Sequence, residues 1–348
     1  MAMFGVLGDL DPGAWRVVDV TPPIQEPVSI ADAKAFARIE FPDDDAIVAS
    51  LIAQAREYVE TALARTVAPR VRAAYYQGFA TSGGYYNRFI RSIGPSPWWI
   101  PTAQGIMQIR QPPLQGLMNI QYVDPSSGNL LEISSSLVVV STGTPGRIQP
   151  TFGAVWPLPR PQIDCVIITF VAGYGLTSPY VGNSTVDDVV NYYGGPPSQT
   201  IMTYGQPTGG TFTLTFFGST TASLAYSATA AQVQTALQAL GSIGAGNVIC
   251  AGGPLPTIPV FVTWASALSQ GIYYQPPITI TPSLTGDAAA TMTVSQPPAV
   301  PHSVLTAIKQ IVADSYENRE ASMDARPGLV VTSTAERTLM PEFWGTYV

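Results

Sequence analysis

A chain of 348 residues with 46% hydrophobic side chains can bury two or three separate cores, and its 11% charged residues fall well below the ordinary quarter. Its 16 bases against 23 acids, a net charge of −7, exclude a protein whose main work is to grip phosphates, because such binding needs clustered Lys and Arg. The single histidine, His302, excludes a two-histidine metal site built within the chain.

Charge also divides the chain. Residues 1–197 carry 12 bases and 16 acids, and residues 299–348 carry 4 and 6, but residues 198–298 hold one charged side chain, Asp287. Gly194-Gly195-Pro196-Pro197 stands at one border, and Gln296-Pro297-Pro298 with Pro301 at the other. Proline fixes φ and continues neither a helix nor a central strand, so these read as linkers around an inserted module. The expected fold class is α+β: a host domain of residues 1–197 and 299–348, interrupted by a neutral α+β module at 198–298.

In chain order, Met1 to Trp15 carries acids where a signal peptide carries bases, and no run approaches the ~20 apolar residues that span a bilayer, so a soluble chain made in the cytoplasm is expected. Ser29-Ile30-Ala31-Asp32 is a capping-box-like helix start, predicting a helix over 29–38. A longer helix is predicted over 43–65. Its apolar stripe is Ile47, Leu51, Ile52, Ala55, Val59 and Leu63, with Arg56, Glu57 and Glu60 off the stripe. The region 71–171 reads as β. Strand-like runs lie at Val71–Phe79, Leu117–Val123, Leu130–Ile133, Leu137–Val140 and Cys165–Val171, with a turn at Asp124 to Gly128 joining the second and third as a hairpin. The Cys165–Val171 run is apolar on both faces except at Thr169 and should be central.

Within the module, Phe212, Leu214 and Phe216 alternate with Thr. A helix is predicted over Ser227–Leu240, with Val233, Ala236, Leu237 and Leu240 inward and Gly241 as its left-handed stop. Strands are expected at 248–250, 260–264, 278–280 and 292–294, giving a ββα-β unit with its own core. A closing helix follows over 301–319, burying Val304, Leu305, Ile308, Ile311, Val312 and Tyr316. The last stretch carries too many large apolar side chains for a solvated tail. Leu339, Met340, Phe343, Trp344, Tyr347 and Val348 should dock either within the chain or on a neighbour.

Chemistry-bearing constellations are few. Asp43-Asp44-Asp45 could suggest a divalent cation, but the helix macrodipole explains three acids at a helix start without one, and Asp187-Asp188 has the same reading. Gly241 to Gly246 follows a helix instead of leading from a strand into one, so it is no phosphate cradle. Neither Ser nor Cys sits in a nucleophile elbow that His302 could serve. Tyr85, Tyr86, Trp98 and Trp99 form an aromatic loop that could stack on sugars or bases, but better suits an apolar contact surface. Cys165 and Cys250 read as buried free thiols. No catalytic residue, metal or cofactor is assigned, and an enzyme is not expected.

A family resemblance runs through the host. Val28-Ser29-Ile30-Ala31-Asp32-Ala33-Lys34, Asp44-Asp45-Ala46-Ile47-Val48-Ala49-Ser50-Leu51-Ile52 and Ala55-Arg56-Glu57-Tyr58-Val59-Glu60 come first. Pro112-Pro113-Leu114, Tyr122-Val123-Asp124, Pro145-Gly146-Arg147-Ile148, Trp156-Pro157 and Phe170-Val171-Ala172-Gly173-Tyr174-Gly175 follow, and Ile308 with Tyr316 to Glu320 closes the set. This order resembles the head–tail connector (adaptor or head-completion) family of tailed bacteriophages and gene transfer agents. The module, through Gly209 to Phe216 and Ala228 to Leu237, resembles a Thr/Gly-rich unit of phage structural and bacterial surface proteins. The resemblance implies a virion protein at the capsid vertex, a ring of twelve subunits beneath the portal protein. Such a ring lets DNA pass without sequence-specific binding and presents a platform to a neck or tail protein. The apolar C-terminal residues would then reach the portal or a neighbouring subunit. The alternative is a minor capsid or tail adhesin whose module binds host-surface glycan.

Overall fold

The computed structural model describes residues 14–79, 105–175, 198–265, 268, 276–317 and 333–344. In chain order the host contributes β1 (Ala14–Asp19), α1 (Ile30–Ala37), α2 (Asp45–Leu63), β2 (Arg70–Tyr76), β3 (Met107–Ile109), β4 (Leu114–Val123), β5 (Leu130–Glu132), β6 (Val138–Ser141), β7 (Gly146–Pro150) and β8 (Val166–Ala172). Residues 199–295 supply β9 (Gln199–Tyr204), β10 (Gly209–Phe216), β11 (Ser219–Thr220), β12 (Leu224–Ala225), α3 (Ala230–Gln238), β13 (Val248–Gly252), β14 (Val260–Trp264), β15 (Thr279–Thr285) and β16 (Thr291–Ser295). The host resumes with α4 (His302–Glu317) and α5 (Ser333–Trp344). The chain is thus a mixed α and β protein.

The helices form a bundle with its own core. Ser29 caps α1 by accepting a hydrogen bond from the Asp32 amide at 3.0 Å. The buried face of α2 is Val48, Ile52, Ala55, Arg56, Val59 and Leu63. Ile47, expected inside, is 42% exposed. The apolar stripe is wider than the space available, so the helix turns Val48 inward and leaves Ile47 to solvent. Val304, Ala307, Ile308, Ile311 and Val312 of α4 fill the middle, and Ala335 and Leu339 of α5 close it. Leu305 and Tyr316, expected inside, pack at the margin.

The main host sheet is antiparallel in the order β1-β2-β8-β4-β5. β8 lies between β2 and β4. Its Val166, Ile168, Phe170 and Ala172 line a core shared with Leu117 and Ile120 of β4 and with the small sheet β3-β7-β6. β1 is an edge strand with a bulge and lacks the alternation that would announce it. Bundle and sheet meet at a joint where Gly173 has φ +118°; a Cβ there would lie 2.6 Å from Pro69 Cα, so only glycine fits.

Among the described residues, the strands between Gln199 and Ser295 pair with one another and not with the host strands. One sheet runs β13-β14-β9-β16, and β10 is flanked by β15 and by the short β11 and β12. Phe212, Leu214, Phe216, Val233, Leu237, Val262 and Trp264 form the core between them, with the Phe216 and Trp264 rings 4.9 Å apart. α3 starts later than Ser227: Thr229 and Gln232 form a reciprocal capping box. Gly241 is not its left-handed stop. The helix ends at Ala239 in ordinary right-handed geometry, and positive φ first occurs at Gly244 and Gly246.

Candidate assembly surfaces

The joint between bundle and sheet is held by charge. Glu60, one turn from the end of α2, accepts from Arg56 at 3.0 Å, from Arg70, and from the amides of Val67 and Ala68 at 2.8 and 3.2 Å. Arg56 also meets Glu26 at 2.8 Å, and Arg72 meets Asp19 at 2.6 Å. Burial opposes the charge on Arg56, but Glu60 and Glu26 outweigh it and hold its pKa above the ordinary value. Arg56 and Arg70 are only 4% and 3% exposed. Such pairs fix geometry more than they stabilise, since desolvation consumes much of their attraction. In sequence only the four-residue spacing of Arg56 and Glu60 hinted at this network.

A second seam joins the 199–295 region to the host. β9 is buried along its whole length because it serves both sides. Ile201 enters its own core, while Met202, with Phe261 of β14, packs on Val71, Met118 and Val171. Tyr204 enters the host core and donates to the Ile133 carbonyl at 2.5 Å. Thr200 donates to Gln115 at 2.8 Å, and a Cβ on Gly116 would sit 2.4 Å from Met202 Sδ. At the rim, Glu132 of β5 is half-buried, and its Oε1 has no hydrogen-bond partner among the described residues. Burial and the neighbouring Asp287 push its carboxyl up to about 7. Asp287 accepts instead from the amides of Gln206 and Ala289. Beside this seam an open groove of about 670 Å³ runs between β16, β4 and β6, and none of its lining residues is charged.

A third feature is a proline-rich arm, residues 151–163, which hangs from the far end of the host sheet. Trp156 stacks on Phe79 at 4.8 Å and 8°, and its indole N–H donates to the Gly105 carbonyl at 2.6 Å. The Arg160 amide donates to the Val123 carbonyl at 2.8 Å. From this fixed frame Phe152, Val155, Leu158 and Ile163 point outward, 76–108% exposed. A group of large apolar side chains this open marks a contact surface. In the sequence Trp156 stands out as a family landmark, and nothing there marks its neighbours as exposed.

The residues singled out from sequence fall in three places. Leu339 is fully buried against its own bundle, so it is a core residue and not an open contact. The backbones of Met340, Phe343 and Trp344 lie in α5, but their side chains, like Tyr347 and Val348, lie outside the described residues. Tyr85, Tyr86, Trp98 and Trp99, and also Asp187-Asp188, lie outside them too. Asp44 accepts from the Tyr316 hydroxyl and Asp45 pairs with Lys34 at 2.6 Å, so these two acids of the triplet are engaged within the bundle. Cys165 is buried, but Cys250 is half-buried and not fully enclosed; both are free thiols, and burial pushes the Cys250 pKa up to about 12. Among the described residues no three His, Cys, Asp or Glu side chains converge as metal ligands, and no helix is long and apolar enough to cross a membrane.

Comparison with known proteins gives a family match over part of the chain. Residues 27–86, which span α1, α2 and β2, match the family model described as phage gp6-like head-tail connector protein. That match covers 60 of the 348 residues. The chain is also similar to a chain in the neck of an empty gene transfer agent particle computed with C6 symmetry. That likeness has 16% identity and a TM-score of 0.34, covering 47% of this chain and 73% of the other. A chain in the virion of a native gene transfer agent particle matches at 16% identity and a TM-score of 0.33, covering 46% and 73%. At those values the likenesses carry no argument about function. No curated protein matches the chain.

Proposed function

We propose that this protein is a structural component of a phage neck, a connector ring seated beneath the portal that extends the DNA channel and offers a docking face to the next neck or tail protein. The connector match over residues 27–86 carries the reading. Its residues build the first two helices and the ion-paired joint, and the rest of the fold is attached to them.

The physical properties agree with that role. A chain of net charge −7 suits a channel wall, since a basic lumen would hold DNA, with its charge every ~1.7 Å, instead of letting it pass. Identical subunits close into a ring through two different patches related by a rotation, and the number twelve comes from the family resemblance. We take residues 198–298 as an inserted module and place it on the outer wall, away from the channel. The C-terminal side chains beyond Leu339 are assigned to the portal or a neighbouring copy. The test is genetic. Phage lacking this gene should fill heads with DNA but leave them tailless, and supplying the protein to such heads should restore tail attachment. Tailed particles formed without it would refute the assignment.

A further inference from the structure

Among the described residues, two of the open apolar surfaces lie at opposite ends of the host. One is the arm: Phe152, Val155, Leu158 and Ile163 at 108%, 84%, 78% and 76% exposure. Its backbone leaves the small sheet after Pro150, beside Leu137, passes Val123 at Arg160 and rejoins the main sheet at Cys165. The second lies on the bundle, where Phe41 is 69%, Phe36 46%, Ile47 42% and Ile30 36% exposed. The bundle has its own core beyond the Arg70 and Ala172 end of the sheet. The seven residues of β2 that separate the two ends amount to roughly 20 Å of strand.

We propose that the arm of one copy docks on the α1–α2 face of the next copy, so that a second copy of this chain is the partner at both surfaces. The proposal rests on the ring reading above and names the contact that builds the ring. Four observations favour a second copy over an unrelated partner. The two patches are of matched apolar character, and each stands open among the described residues of its own chain. They differ in shape and element, one a rigid proline-rich arm and the other a helical face, so they are complementary and not self-complementary. They carry opposite charge: Arg160 stands exposed on the arm, while residues 30–47 hold five acids against two bases, with Glu40, Asp43 and Asp45 exposed. They lie at opposite ends of the subunit, the arrangement that a head-to-tail contact needs.

The arm is also prepared for the contact. Trp156 is pinned by Phe79 and Gly105, and Pro157, Pro159 and Pro161 restrict the backbone between the displayed side chains. Little conformational freedom is therefore lost on docking.

Cysteine cross-linking in the assembled particle tests this directly. The full-length chain carrying both Leu158→Cys and Phe41→Cys is incorporated into particles, oxidised mildly and run on a denaturing, non-reducing gel. A ladder of covalent multimers is expected, at least ten-fold stronger than in either single variant or the wild type. Val155→Cys with Phe36→Cys provides an independent pair at exposed positions. Particles that contain the chain but give no ladder with either pair overturn the docking and leave the neck reading standing. So would dimers from Leu158→Cys alone, which would mean arm-to-arm contact, or a disulfide closed within one chain. Absence of the wild-type chain from the particle removes the neck reading and the docking together.

Discussion

Replacing Glu132 with Gln should stabilise the seam between β5 and the 199–295 region, and only above a defined pH. Glu132 sits half-buried at the rim with one oxygen unpartnered and Asp287 as its charged neighbour. Its carboxyl ionises at about 7 in the folded chain against an ordinary 4.5. Between those values the folded form holds a proton that the unfolded form has released, so this group's contribution to stability falls as pH rises, and the loss is complete above 7. A fully dry site would cost roughly 3–4 kcal/mol, but water screens this one, leaving about 1–2 kcal/mol. Gln keeps the shape and removes the charge. Urea unfolding followed by tryptophan fluorescence, run on wild type and variant from pH 4 to 8, isolates the effect as a difference. That difference should be near zero at pH 4 and reach about 1–2 kcal/mol in favour of Glu132→Gln at pH 8. A variant equal to wild type at pH 8, or a difference that does not change with pH, would refute the reasoning.

Three further outcomes follow from the same structure. Glu60→Ala leaves Arg56 and Arg70 buried with their shared acid removed and should cost about 3 kcal/mol, somewhat eased by Glu26 and Asp19, as read by chemical denaturation. Leu339→Ala opens a cavity under α5 and should cost about 2–4 kcal/mol, with amide exchange rising first in α5 and α4. Gly173→Ala forces a Cβ against the Pro69 backbone at a positive φ and should lower the melting temperature far more than Gly143→Ala, where a Cβ meets nothing within 4 Å although φ is also positive.

The parts of the fold that were legible in sequence are those set by local chemistry. The Ser29 cap, the periodicity of α2 and α4, and the apolar run of β8 each depend on neighbours along the chain. Elements stabilised from elsewhere were silent. β9, Gln199–Tyr204, was not foreseen because it is buried on both sides by two different cores, which erases alternation. α5 was read only as an apolar tail, because its helical form depends on Ala335 and Leu339 finding the bundle. Glu60 and Arg56 looked like solvated charges on the outside of a helix, and only the arrival of Arg70 from the next strand makes them a buried hub. The arm shows the opposite case. Its prolines and large apolar residues were plain in the sequence, but whether they were core or surface was decided by Trp156, whose ring turns inward onto Phe79.

Direct imaging of the intact particle's vertex tests the central claim most closely. The account predicts a closed ring of this chain at the junction of capsid and tail, with density for the arm of each copy resting on the α1–α2 face of the next. Density for the chain in the capsid shell or at the tail tip, or no ring at the junction, would contradict it.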